Sequence, residues 1–189
     1  IAKNLIPSLD GHELLLFSRK NTFLNQNTRH FTYDVPDSNF KIDELTQCDV
    51  IYYCAGAGIQ PKNNDSIKQL YEMNAFEPIR LINELQKKNY CGKLITFGSY
   101  FELGNMLKEK FADEKYYCKH NNVLPNDYCK SKRMLTKHIE NTLSQNNSIS
   151  FNLQHFVLTN IYGLGENIHR LLPYIVRSGL KVETLSFTS

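Results

Sequence analysis

The sequence contains no Cys-x-x-Cys pair, no stripe of like charge, no basic-then-apolar leader, and no apolar run of the ~18 to 20 residues that a membrane helix needs. Each absence excludes a class of protein. Cys48, Cys54, Cys91, Cys118 and Cys129 are odd in number and have no histidine at metal spacing, so neither a disulfide framework nor a zinc site is expected. That usage fits a reduced, cytoplasmic protein without a metal. The formal charge of +3, from 22 basic and 19 acidic residues, is scattered, which argues against a nucleic-acid partner. The mixed run from Lys108 to Lys119 reads as a solvated loop. Without a long apolar segment no membrane partner is expected either. Internal repeats and low-complexity segments are also missing.

With 41% hydrophobic residues in 189, the chain can bury one sizeable core. Apolar positions at Ile1, Leu5 and Ile6 suit one face of a helix that ends at the turn signal Ser8 to Gly11. His12 to Phe17 is a continuous apolar run of the kind found in a strand buried on both faces. Phe31 to Tyr33 is a weaker, alternating candidate. Asp49 to Tyr53 reads as a strand running into the small-residue loop Cys54-Ala55-Gly56-Ala57-Gly58. From Ser66 to Lys88 the spacing is helical, with Glu77-Pro78 a point of distortion. Lys93 to Phe97 is a buried strand, Tyr128 to Ser144 a helix and Ile149 to Phe156 a strand. Alternating strands and helices predict an α/β fold with a parallel sheet. Open sheets of this kind bind ligands beyond the carboxyl ends of their strands, which directs attention to the segments after Phe17, Tyr53 and Phe97. The connection from Tyr100 to Pro125 is long enough to suggest a functional loop.

Tyr128 and Lys132 lie four residues apart, so a helix places phenol and ammonium on one face. A nearby ammonium favours phenolate and lowers a tyrosine from its reference value of ~10 towards the range of an acid/base catalyst. Alone, such a pair recurs by chance. Here it follows a strand ending Thr96-Phe97-Gly98-Ser99 and precedes Asn160-Ile161-Tyr162-Gly163. That ordered set resembles the extended short-chain dehydrogenases/reductases of the NAD-dependent epimerase/dehydratase family.

The resemblance runs from about Ile1 to Gly179 and implies a Rossmann-type doubly wound parallel sheet. It implies a dinucleotide-binding domain over residues 1–157, without its first strand and most of its glycine-rich loop, and a truncated start of a substrate region over 158–189. Ile1 in place of Met, and an end at Ser189 after an apolar stretch, agree with a fragment incomplete at both ends. The family register, five residues before a glycine as in UDP-galactose 4-epimerase, makes Ser99 the catalytic hydroxyl relative to Gly104. Ser99, Tyr128 and Lys132 are then the catalytic residues. Cofactor contacts fall to Ala2, at the last position of the glycine motif, and to Arg19, Asp34, Cys54, Ala55, Gly56, Asn74, Tyr128 and Lys132. Ser99, Tyr100 and Asn160 are the substrate contacts. Departures are Leu164 within the family's Tyr-Gly-Pro-Gly, and Val157 where the family has an arginine.

After the strand ending at Phe17 comes Ser18-Arg19-Lys20 with no carboxylate, the pattern that favours NADP over NAD, because an arginine accommodates a 2′-phosphate. Dehydratases of the family place Asp-Glu after the catalytic hydroxyl, and Tyr100-Phe101 stand there. The resemblance therefore implies reduction of a nucleotide-linked 4-keto-6-deoxy sugar. A diffuse similarity to CDP-abequose and CDP-paratose synthases adds O-antigen biosynthesis. A sugar-nucleotide 4-epimerase and a non-catalytic dinucleotide-binding protein are the alternatives. The resemblance offers a homodimer through the Tyr-Lys helix as one expectation, and a monomer that buries the same apolar faces in its core is the other.

Overall fold

The computed structural model describes residues 1–20, 27–34, 41–60, 63–64, 66–104, 113–114, 119, 122–144, 149–163, 165–168 and 170–185. Most of the Lys108 to Lys119 run and much of the Tyr100 to Pro125 connection, Cys118 included, lie outside them, as does Leu164. The chain divides into two compact units, Ile1–Val157 and Leu158–Ser189.

The first unit opens on a short helix, α1 (Ala2–Leu5), prolonged by a 3-10 turn at Ile6–Leu9. Strand β1 (Leu14–Ser18) pairs in parallel with β2 (Thr28–Thr32), Leu14 opposite Thr28 and Ser18 opposite Thr32. Phe17 stacks on Phe31 at 4.9 Å and meets Tyr33 edge-on. Every residue of β1 is half-buried rather than buried, because among the described residues only one of its edges carries a ladder partner. A second ladder runs β3 (Val50–Tyr52), β6 (Lys93–Ser99), β7 (Asn152–Leu158), with β6 in the middle. Ile51 faces Leu94 in a parallel pair. Having neighbours on both edges, β6 is largely buried, which suits its apolar Leu94, Ile95 and Phe97. Between β3 and the next helix lies a two-residue antiparallel ladder, β4 (Ile59–Gln60) with β5 (Asn63–Asn64).

The core is built by α2 (Ile42–Leu45), α4 (Glu77–Lys87) and α5 (Asp127–Ser144) against the second ladder. Leu81, Ile82 and Leu85 of α4 and Leu135 and Ile139 of α5 meet Leu45, Ile51, Leu94 and Leu153. Tyr90 fixes the start of this ladder, its hydroxyl 2.9 Å from the Cys48 carbonyl and 3.2 Å from that of Lys93. Gly92 is obligatory beside it, since a Cβ there would lie 2.6 Å from the Asp49 carbonyl.

The expected distortion at Glu77-Pro78 is present. A helix, α3 (Ile67–Tyr71), leads into a π-helical turn at Glu72–Phe76 before α4 begins. Proline at 78 cannot donate to the carbonyl four residues earlier and would crowd it, so the turn widens there. Asn74 is carried on that widened turn.

The second unit contains α6 (Leu171–Leu180), preceded by Arg170, which pairs with Glu166 at 3.2 Å and donates to the Ile161 carbonyl. No helix among the described residues is long and apolar enough to cross a membrane.

Candidate active site

Helix α5 starts where Asn126 accepts the Cys129 N–H on its side-chain oxygen at 3.0 Å, an N-cap that leaves Tyr128 in the first turn. Asp127, also in that turn, favours the positive helix end and accepts from the Tyr71 hydroxyl at 3.2 Å. One turn on, the Lys132 ammonium donates to the Phe97 carbonyl at 3.1 Å. That contact seats Lys132 at the carboxyl end of β6, two residues before Ser99, the last residue of the strand.

The small-residue loop reaches the same face. A Cβ on Gly56 would stand 3.7 Å from Lys132 Nζ, and one on Gly58 would stand 3.9 Å from the Tyr128 ring. What holds the loop there is Asn74, 1% exposed. Its side-chain oxygen accepts the Ala57 N–H at 3.0 Å, and its amide donates to the Ala57 carbonyl at 2.9 Å and to Ser131 Oγ at 3.1 Å. Ser131 in turn donates to the Tyr128 carbonyl at 2.9 Å. Asn74 thereby fixes the loop against the helix that carries Tyr128 and Lys132. Tyr53, whose hydroxyl donates to the Met73 carbonyl at 2.8 Å, anchors the end of β3 to the same π turn. Burial pushes its phenol well above the ordinary value, so it serves as an anchor and not as an acid.

Lys132 is half-buried, and burial pulls its ammonium below the ordinary lysine value while the Glu102 carboxylate pulls it back up. Among the described residues Phe97 is its one acceptor, so two of its three protons remain for hydroxyls of a ligand.

The sequence model of the NAD dependent epimerase/dehydratase family matches residues 1–188. The chain belongs to this family. No protein with a curated description is significantly similar in sequence. Among solved structures, MoeE5 in complex with UDP-glucuronic acid and NAD is similar at a TM-score of 0.73 and 13% identity, over 93% of this chain and 56% of that one. UDP-glucuronic acid 4-epimerase from Bacillus cereus, in complex with NAD, gives 0.72 and 13% over 97% and 61%. DesIV, a dTDP-glucose 4,6-dehydratase from Streptomyces venezuelae with NAD and TYD bound, gives 0.72 and 14% over 97% and 59%. The α/β Rossmann-type fold is shared with these proteins, and the chain spans 56% to 61% of their length.

Of the other residues singled out in the sequence, all but Asn160 lie in the first unit. Cys54 and Ala55 are half-buried in the loop beside Gly56, and burial raises the Cys54 thiol. Asn74 lies beneath that loop and holds it rather than facing outward. Tyr100 opens a 3-10 turn, Tyr100–Leu103, its ring 4.2 Å from that of the exposed Phe101. Arg19 and Asp34, at the ends of β1 and β2, are exposed and 3.9 Å apart. A carboxylate thus does stand beside Arg19, delivered by the neighbouring strand. Ala2 is exposed at the start of α1, and Asn160 is exposed in the second unit.

Sequence reasoning missed a buried polar cluster below the strand end. Glu102 is fully buried and accepts the Ser99 N–H at 2.5 Å and the Thr136 hydroxyl at 2.5 Å. His155 Nε2 lies 2.9 Å from Thr136 Oγ, and its Nδ1 lies 2.8 Å from Thr96 Oγ. The spacing Ser99-x-x-Glu102 is a capping-box signature that was legible.

Proposed function

We propose that this protein catalyses oxidation or reduction at a ring carbon of a nucleotide-linked sugar, with NAD held over the Cys54 to Gly56 loop. The observation that carries this reading is the half-buried Lys132 ammonium, spending one proton on Phe97 and set one turn from Tyr128 at the end of β6. Bound NAD supplies the hydride acceptor and donor. Tyr128 Oη takes the proton from the sugar hydroxyl as it becomes a carbonyl, and returns it in reverse. Lys132 keeps positive charge beside that phenol and offers its remaining protons to ribose hydroxyls. Ser99 hydrogen-bonds the same sugar oxygen and orients it. Tyr100 and Phe101 stand where dehydratases of the family place Asp-Glu, and the carboxyl group at this strand end, Glu102, is buried and bonded to Ser99 and Thr136, which speaks against dehydration.

The Arg19 to Asp34 pair supports NAD, because a carboxylate beside the arginine disfavours a 2′-phosphate. It also removes the ground for preferring an NADPH-consuming reductase. A 4-epimerase, which recycles tightly held NAD, is therefore the first reading. The 4-keto-6-deoxy-sugar reductase of O-antigen synthesis is the second, supported by how weak an exposed pair at 3.9 Å is: a phosphate can displace Asp34 from it. Cytoplasmic location suits either.

The test incubates the protein with UDP-glucose and UDP-glucuronic acid under NAD, and with CDP- and dTDP-4-keto-6-deoxyglucose under NADPH. Epimerised product without net change in nicotinamide establishes the first reading, and NADPH oxidation establishes the second. Dinucleotide binding with neither would overturn both in favour of a binding protein.

A further inference from the structure

The cluster beneath Ser99 has a self-consistent proton arrangement. Thr136 has one hydroxyl proton and gives it to Glu102 at 2.5 Å. Its contact with His155 must then run the other way, Nε2–H donating to Thr136 Oγ at 2.9 Å. Nδ1 is left as the acceptor for the Thr96 hydroxyl at 2.8 Å. His155 is therefore neutral, and burial together with the Lys132 charge pushes it down to about 4. As a carboxylate, Glu102 accepts the Ser99 N–H on one oxygen and the Thr136 hydroxyl on the other. Among the described residues the charged groups of this region are Glu102, Lys132 and the buried Arg133, whose guanidinium donates to the Asn122 carbonyl. The Cys129 thiol nearby is raised by burial and by the Glu102 carboxylate. A capping glutamate explains the Ser99 contact, but such residues sit on the surface. Full burial and the second bond to the helix carrying Lys132 need another reason.

We propose that Glu102 is a positioning residue for the reaction: its buried carboxylate keeps Lys132 charged and ties the Ser99 strand end to the Tyr-Lys helix through Thr136. This rests on the reading of Tyr128 and Lys132 as the proton-handling pair. The register explains the fit. Thr136 is one turn beyond Lys132, so a carboxylate bonded to Ser99 and Thr136 joins the strand end to the helix one turn from the residue that bears the ammonium. Gly98 leaves room for it, since a Cβ there would be 2.6 Å from Glu102 Oε1 and 2.7 Å from His155 Nε2.

Glu102→Gln keeps an acceptor for Ser99 and removes the charge. Without that charge nothing opposes the desolvation of Lys132, so its titration moves to lower pH by about one unit or more. Charge on Lys132 is present below its pKa and lost above it, so the alkaline limb of kcat/KM moves down by the same amount. The direct readout is the ¹³Cε titration of Lys132, assigned by its loss in Lys132→Arg, in the wild-type and Glu102→Gln proteins. Glu102→Asp, which retains the charge, restores most of the difference. Identical Lys132 titrations in the wild-type and Glu102→Gln proteins would overturn the proposal. Should the Gln variant not fold, the ¹³C shift of the Glu102 carboxyl in the unaltered protein decides. An ionised group near neutral pH supports the proposal, and a protonated one overturns it. A shifted lysine in a protein that turns over no sugar nucleotide would refute the catalytic reading and leave the Glu102–Lys132 coupling standing. Turnover with an unshifted lysine would do the reverse.

Discussion

Tyr128→Phe lowers turnover of the sugar nucleotide by at least about a hundredfold and leaves dinucleotide affinity within a few-fold, because positioned acid/base groups contribute roughly 10²–10⁴ in rate. The phenylalanine ring keeps the packing against Gly58, where a Cβ would approach the tyrosine ring at 3.9 Å. Asn126 still caps the helix, and Lys132 still reaches the Phe97 carbonyl. The effect belongs in kcat, since the group acts on the reacting oxygen rather than on ground-state binding. Steady-state kinetics with a parallel dinucleotide titration separates the two. Loss of binding with kcat preserved would place Tyr128 in cofactor recognition alone.

Asn74→Leu costs about 3–5 kcal/mol of stability, close to the largest effects of single substitutions, because leucine matches the volume and none of the bonds. The Ala57 N–H and carbonyl and Ser131 Oγ all lose a partner in a region with almost no exposure. Ser131 retains its bond to the Tyr128 carbonyl, so the Ala57 amide bears most of the cost. Denaturant unfolding gives the stability, and hydrogen exchange at Ala57 shows whether the loop opens first. A midpoint within about 1 kcal/mol of wild type would mean that the loop does not depend on Asn74.

The sequence shows some of this architecture directly and conceals the rest. Strand β6 is legible because Leu94, Ile95 and Phe97 crowd into a short segment, and α5 because its spacing is helical. The π turn is half legible: Pro78 announces a distortion but not its kind. α2 at Ile42–Leu45 and the β4–β5 ladder are too short to leave a periodic trace. Asp34 reads as an isolated residue after a weak strand. The parallel register that sets Ser18 opposite Thr32 brings it beside Arg19, and no local pattern carries that information. The expectation of NADP rested on Arg19 standing without a carboxylate, and long-range strand pairing supplied one. Glu102, Thr136 and His155 are hidden for a related reason. Periodicity separates polar from apolar positions, and a buried, fully bonded polar side chain has the same letter as an exposed one. The capping-box spacing marks Glu102 locally, while its contact with Thr136 spans 34 residues.

A crystal structure of the protein with NAD tests the central claim most directly. The account predicts dinucleotide along the Cys54 to Gly56 loop, with nicotinamide-ribose hydroxyls bonded to Lys132 Nζ and Tyr128 Oη, and Glu102 still joined to Ser99 and Thr136. A dinucleotide bound elsewhere, or one lying on the loop with Lys132 and Tyr128 out of reach, would contradict it.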